Sequence, residues 1–278
     1  MEDIINSVND AIWSNWLVYL CLGAGVYFTL TTLFLQVRCF PDMIRQLKSN
    51  EDSEAGISSF QSLMISLAGR VGVGNIAGVA TAIAFGGPGA VFWMWIVAFL
   101  GSATSYVECC LAQIYKEKDQ DTGEYRGGPA YYIEKAYRHT KARPFALVYA
   151  IVFAVSMILA TSYFLPGVQA NGVATSVQHA WSVPTWATAA GMVILLGIIV
   201  IGGVKRIAWF ATMVVPFMAV IYIVIAIAIL FANASQIPEV FGLIFRAAFD
   251  KEAAFSGLLG TAIMWGVKRG IYSNEAGQ

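Results

Sequence analysis

The residues best placed to do chemistry lie in the stretch Ser66-Leu-Ala-Gly-Arg-Val-Gly-Val-Gly-Asn-Ile-Ala-Gly78, inside an apolar run that covers residues 57–85. Gly69, Gly72 and Gly74 each weaken a helix by about 1 kcal/mol relative to alanine, so together they favour an interruption. A helix that stops inside an apolar run exposes two kinds of peptide group. The last carbonyls of the first half carry partial negative charge, and the first N–H groups of the second half carry partial positive charge. With the first half ending over 68–71 and the second starting at Gly74-Asn75, the carbonyls suit a cation such as sodium. The N–H groups of Gly72, Val73 and Gly74 suit a carboxylate. A zwitterion and an ion can be held this way with little burial of ionised side chains. Arg70 adds a charge at a depth where charges are costly and are functional or paired.

The setting of this stretch is a membrane. The chain is 58% hydrophobic and 12% charged, against about 25% charged in a soluble domain. The expected fold class is an all-α, polytopic membrane protein. Apolar run length marks seven spans, at 13–37, 57–85, 90–114, 145–177, 185–201, 208–231 and from 253 onward. Pro166 is expected to bend the fourth and Pro216 the sixth. Alternatively, the fourth ends near Leu165 and leaves 169–183 as an outer loop. A short amphipathic piece at 237–250 is expected to rest at the interface. Unwound backbone at membrane depth is tolerated only where it lines a cavity or is buried in protein. A glycine-interrupted apolar segment is the best pointer to a transporter's binding site.

Basic residues set the orientation. Arg38, Arg45 and Lys48 follow the first span, Lys116, Lys118, Arg126, Lys135, Arg138, Lys141 and Arg143 follow the third, and Lys205 and Arg206 follow the fifth. The opposite side has only Arg246 and Lys251. The N-terminus is therefore expected outside, and the interrupted second span runs from inside to outside. No cleavable signal peptide is visible, because Glu2, Asp3 and Asp10 stand where a basic region is needed. The formal net charge is zero, which gives no reason to expect a nucleic-acid partner. Cys21, Cys39, Cys109 and Cys110 lack metal-ligand spacing with a histidine, and a reduced, packed state is expected. No Ser/His pair, paired aspartates or histidine cluster stands in a span, so no enzyme activity and no cofactor are expected.

Other patterns overlap the same residues. Gly72 to Ala77 fits a dinucleotide-binding glycine pattern, but that motif needs a strand before it and a βαβ unit around it. Gly74 to Gly78 fits the GxxxG packing motif, which stays open beside the helix break. The seventh span repeats the theme, turning glycine-rich and charged from Gly266 through Lys268, Arg269 and Gly270. A second break is expected at 266–270, the alternative being a short span that ends at its basic residues. The two interrupted spans stand five apart and run in opposite directions, as an inverted five-helix repeat requires.

Several long motifs stand in order along nearly the whole chain. They are Gly72-Val-Gly-Asn-Ile-Ala-Gly-Val-Ala-Thr-Ala-Ile83, Gly86-Gly-Pro-Gly-Ala-Val-Phe-Trp-Met-Trp95, Gly127-Gly-Pro-Ala-Tyr-Tyr132, Val168-Gln-Ala-Asn171 and Gly266-Val-Lys-Arg-Gly-Ile-Tyr-Ser-Asn-Glu-Ala-Gly277. With them the chain resembles the sodium:alanine (alanine or glycine:cation) symporters. The resemblance implies a leucine-transporter-like fold in one transmembrane domain, 1–278. It would have an extra helix at 13–37, a first five-helix repeat at 57–231, and at 253–278 the first helix of an inverted second repeat. On that expectation the chain is truncated at its C-terminus.

The resemblance also implies a secondary active transporter in the cell membrane. It would carry a small neutral amino acid, alanine or glycine, into the cell with sodium as coupling ion. Backbone at Ala68 and Val71, with Asn75, would bind sodium. Gly72, Val73, Gly74 and Asn75 would meet the substrate, joined by Gln169, Asn171, Trp265, Gly266 and Gly270. Gln169 and Asn171 have a second reading in a solvated loop, and Trp265 a second reading as an ordinary buried aromatic. Gly172 stands where a hydroxyl residue is common, and Leu165-Pro166 precedes the polar pair. Glu108 and Glu275 are the only carboxylates within the spans and support a proton-coupled carrier as the variant. Glu108 fits a helix end near water, or a pair with Arg70 or Lys268. Glu275 fits an ion pair with Lys268 or Arg269. A passive channel lined by the same glycines is the alternative of another class.

Overall fold

The computed structural model describes residues 7, 12–47, 57–121, 123, 125–249 and 258–274. The described residues are helical apart from one short hairpin and the connecting turns. Helix α1 covers Asn15–Thr31, α2 Leu35–Arg38 and α3 Phe40–Leu47. Helices α4 (Ser59–Arg70) and α5 (Val73–Gly86) are the two halves of the interrupted span, and α6 covers Gly89–Tyr115. Strands β1 (Glu117–Lys118) and β2 (Tyr125–Arg126) pair antiparallel, with Glu117 opposite Arg126. There follow α7 (Pro129–Ala136), α8 (Arg143–Leu159), a π-helical turn at Ala160–Phe164, and α9 (Leu165–Trp181). Helices α10 (Thr185–Val200), α11 (Gly203–Ala232), α12 (Ile237–Phe249) and α13 (Leu258–Asn274) complete the set.

Four stretches among the described residues are long and apolar enough to cross a membrane: Ser59–Gly86, Gly89–Tyr115, Arg143–Trp181 and Gly203–Ala232. Asn15–Thr31 and Thr185–Val200 are shorter apolar helices. On α10 and α11, residues such as Ile194, Leu195, Leu196, Ile223, Val224 and Ile229 are exposed. Such apolar rows suit lipid rather than water. The chain is an all-α, multi-pass membrane protein.

Three sequence expectations are corrected. The expected span 13–37 is not one helix. Leu33 and Phe34 both take positive φ, 55° and 52°, which ends α1 at Thr31 and redirects the chain into α2. Gln36 braces the turn by donating to Thr29 Oγ1 at 2.8 Å and to Phe99 O at 3.1 Å. The alternative outer loop at 169–183 is replaced by helix through Trp181. Pro166 lies inside the continuous helical stretch Arg143–Trp181, directly after the π turn at Ala160–Phe164. The second break expected at 266–270 is absent, because α13 runs unbroken from Leu258 to Asn274. Residues 253–257 and Glu275 lie outside the described residues.

The chain divides into two compact units. One comprises Met1–Gln46, Gly74–Val107 and Ala219–Gly277, the other Leu47–Val73 and Glu108–Met218. In the first, Val18, Val97 and Val267 form a buried cluster with Leu22, Ile263 and Ile271, and Ala82, Ala90 and Met94 form another. The amphipathic α12 sets Phe241 and Phe245 against Trp95, and Phe245 and Phe249 against Phe92. In the second unit Met64, Ala211 and Val215 are buried together, with Leu67, Ala68 and Met218 packed on them. Lys135 ties α7 to the end of α6. Its Nζ donates to Tyr115 O at 2.8 Å and pairs with Glu117 at 2.8 Å.

Candidate functional site

Helix α4 is capped at its start by Ser58, whose hydroxyl accepts from Gln61 N at 3.2 Å while Gln61 Oε1 accepts from Ser58 N at 3.0 Å. This reciprocal box fixes where the helix begins. It ends at Arg70, whose guanidinium donates one turn back to Ser66 Oγ. Val71 N still closes on Leu67 O at 3.0 Å, but Val71 itself has φ −107° and ψ 83°, which is not helical. The carbonyls from Ala68 onward therefore leave the i to i−4 ladder. The helix break expected from the glycines is present, and it falls on Val71 and Gly72.

Within the second unit, α9 supplies a partner for the break. Val73 N, the first peptide of α5, donates to Gln169 Oε1 at 3.1 Å. A Cβ at position 72 would stand 3.1 Å from both Oε1 and Nε2 of Gln169, so glycine there lets the amide approach the backbone. One turn on, a Cβ at position 172 would stand 2.7 Å from Val73 Cγ2. Gly172 is what allows α9 to seat the Val73 side chain. Asn171 is exposed and its carbonyl accepts from Thr175 Oγ1 at 2.8 Å. Two residues apart on a helix do not share a face; Gln169 meets the break and Asn171 does not. Ala68 packs against the Met64 cluster, and Val71 is half-buried.

Within the first unit, Gly74 is buried on α5, and a Cβ there would stand 2.8 Å from Tyr272 Cδ1 and Cε1. Ser273 Oγ donates to Gly74 O at 3.1 Å. Gly78 is buried on the same helix, so Gly74 and Gly78 do serve helix packing. The break lies just ahead of them. Asn75 is half-buried. Trp265 stacks on Phe85, with ring centroids 4.9 Å apart at 18°, and Lys268 and Arg269 lie 5.8 Å and 5.6 Å from its ring. Gly266 and Gly270 face α6. A Cβ at 266 would stand 2.6 Å from Trp93 Cβ and 2.7 Å from Ala90 O, and one at 270 would stand 3.1 Å from Val97 Cβ. These glycines permit close helix approach rather than a break. Asn274 extends the row, donating from Nδ2 to Val97 O at 3.3 Å.

Tyr272 and Ser273 meet Gly74 although sequence reasoning does not reach them, even within the 266–277 motif. A signal for them exists: Gly270, Ser273 and Asn274 repeat at helical spacing, which turns that face of α13 toward its neighbours. Glu108, in α6, acts on Tyr132. Burial pushes the Tyr132 hydroxyl above its ordinary value, and the charges of Glu108 and Tyr149 push it further. His139 is exposed in the turn after α7, and His179 is exposed in the last turn of α9. All four cysteines are free thiols. No group of three metal-ligating side chains occurs among the described residues.

The model of the sodium:alanine symporter family matches residues 1–278. The putative sodium/proton-dependent alanine carrier protein YrbD of Bacillus subtilis is 54% identical over 278 residues, covering 100% of this chain and 56% of that protein. The probable sodium/glutamine symporter GlnT of the same organism is 44% identical over 279 residues, with 100% and 56% covered. The sodium/alanine symporter AgcS of Methanococcus maripaludis is 42% identical over 277 residues, with 99% and 60% covered. The chain thus spans a little over half the length of these relatives.

Proposed function

The chain belongs to the sodium:alanine symporter family, and from that premise we propose that it acts in sodium-coupled symport of a small neutral amino acid, alanine or glycine. The observation that carries the reading is the break at Val71 and Gly72, with Val73 N–H held by a side-chain amide. The Gln169 oxygen occupies the place a substrate carboxylate oxygen would take. On binding, the carboxylate accepts from the freed N–H groups of Gly72 to Gly74, and Gln169 turns its Nε2 to donate to it. Carbonyls at Ala68 and Val71, with Asn75, hold sodium. Sodium stabilises the unwound backbone, and that orders the N–H groups for the substrate. Each ligand then raises the affinity of the other, as linkage requires. Asn171 belongs to the same proposal only as a neighbour of Gln169 on α9.

The distribution of basic segments supports an N-terminus outside in the cell membrane. On the same reading the interrupted helix opens a first five-helix repeat over 57–231, after an extra N-terminal helix, and α13 opens the second. Proton coupling is the alternative to sodium, since the names of two relatives pair sodium with protons.

Alanine uptake into proteoliposomes tests the reading, with and without an inward sodium gradient, for this chain and for a version extended to its relatives' length. Sodium-driven accumulation is expected from the extended version and is lost in Gly72→Val. Accumulation driven by protons without sodium moves the coupling to a carboxylate such as Glu108. Uptake that never exceeds the external concentration makes the protein a channel.

A further inference from the structure

The chain holds a cavity that the transport reading does not use. It occupies about 520 Å³ in the second unit, within the roughly 300–1,000 Å³ typical of small-molecule sites. The C-terminal end of α6, one face of α7 and the start of α8 line it. Leu111 and Phe145 line it together with four tyrosines, Tyr115, Tyr132, Tyr137 and Tyr149. The loop joining α7 to α8 runs along its rim, because Tyr137 and Ala142 both line the cavity. That loop is a defined turn, with Thr140 N donating to Tyr137 O at 3.0 Å and Arg143 N donating to Thr140 O at 3.2 Å. It carries Arg138 and Lys141, and Arg143 opens α8 directly after it; all three are exposed, and among the described residues none of them has an ion-pair partner. Among the acidic neighbours, Glu108 of α6 is close enough to Tyr132 in the lining to act on its hydroxyl, and the others are engaged or turned elsewhere. Glu117 pairs with Lys135, and Glu134 lines a separate, smaller pocket with Leu147 and Ile151.

We propose that the tyrosine-lined cavity and the basic turn beside it form a site for an anionic phospholipid, one acyl chain between α6, α7 and α8 and the phosphate on Arg138, Lys141 and Arg143. The depth is right, since α6 ends and α8 begins at this level and both belong to membrane-length stretches. Tyrosine suits the boundary between acyl chains and headgroups, presenting an apolar ring and a polar tip. Basic residues around a pocket at the positive end of a helix bundle are the arrangement that holds anionic lipid headgroups. None of the lining residues belongs to the break at Val71 and Gly72 or touches it through Gln169, so the proposal holds whether or not sodium is the coupling ion.

Native mass spectrometry of the purified chain tests it. The protein is titrated with dioleoyl phosphatidylglycerol, dioleoyl phosphatidylcholine and glycerol 3-phosphate. Each basic residue near the surface contributes about fivefold. Phosphatidylglycerol is expected to bind at least tenfold more tightly than phosphatidylcholine, and the triple change Arg138→Ala, Lys141→Ala, Arg143→Ala is expected to abolish that preference. Ala136→Phe, which fills the cavity from an exposed lining position, weakens both lipids. Equal binding of the two lipids by the native chain overturns the proposal, as does a preference that survives the triple change. Displacement of the lipid by glycerol 3-phosphate would mark a free-anion site instead. A photo-crosslinker at position 136 that captures polypeptide rather than added lipid would give the cavity to a protein segment.

Discussion

Gln169→Leu separates a binding role for the amide from a packing role. The change keeps much of the bulk and all of the helix propensity while removing both polar atoms. Gln169 Oε1 accepts from Val73 N at 3.1 Å, and both amide atoms lie within 3.1 Å of the place a Cβ of residue 72 would fill. Removing one partner of a half-buried hydrogen bond costs about 1–3 kcal/mol when the other is left unsatisfied. If the same amide donates to the substrate carboxylate, affinity falls by about 5- to 150-fold, at roughly 1.4 kcal/mol per tenfold. The assay is the alanine KM in proteoliposomes under an inward sodium gradient, using the version extended to its relatives' length. Gln169→Glu is the companion. Its carboxylate accepts from Val73 N–H with added strength but repels the carboxylate of the substrate. KM is therefore expected to rise further in the glutamate variant although the hydrogen bond to Val73 is kept. A KM within about twofold of the native value in a folded Gln169→Leu protein would refute the reasoning, and Gln169 would then only pack α9 against Val73.

Three further outcomes are expected. Gly74→Val drives its side chain into the Tyr272 ring, where a Cβ alone would approach to 2.8 Å; overpacking of this kind costs about 1–3 kcal/mol, and adding Tyr272→Ala should restore part of the lost thermal stability. In α13, amide hydrogen exchange at residues 266–270 should be as slow as in the turn before them, because that helix is continuous; fast exchange confined to those residues would restore the second break. Tyr132 should ionise after the exposed tyrosines in an alkaline titration at 295 nm, since burial and the charges of Glu108 and Tyr149 raise it. A raised acid favours its neutral form in the folded state, so this contribution is complete below the ordinary tyrosine pKa of about 10 and is lost as pH climbs through the higher folded value. Tyr132→Phe should flatten the alkaline end of the stability profile, and an unchanged profile would count against it.

The membrane class and the main break are legible in the chain because both follow from local composition. Apolar runs set where helices form. The cluster Gly69, Gly72 and Gly74 lowers helix propensity enough to place the break within a residue or two of Val71 and Gly72. The end of the first span is not legible. Leu33 and Phe34 carry no turn signature, and their left-handed backbone is set by tertiary contacts that include Gln36 on Phe99. Gln169 and Asn171 look equivalent because a motif gives residue types, while a helix turns them about 100° per residue. Only the placement of α9 distinguishes them.

The harder ambiguity is glycine itself. Gly72 and Gly266 both interrupt apolar runs beside charged residues, and from the chain alone each reads as a helix break. They differ in what occupies the missing side chain's space. Beside Gly72 stands a polar amide that answers a backbone N–H, and the neighbouring Val71 has left helical geometry. Beside Gly266 stand the Cβ of Trp93 and the carbonyl of Ala90, with Val97 and Met94 one turn further beside Gly270. Glycines at i and i+4 under a facing helix allow backbones to approach, and van der Waals attraction across the closer seam offsets part of their weak propensity. A break needs the reverse: a polar partner for the peptide groups it frees. A glycine cluster in a span therefore reads as a binding break when a facing helix brings an amide or hydroxyl to it. It reads as a packing seam when the facing helix brings Cβ atoms and helical carbonyls.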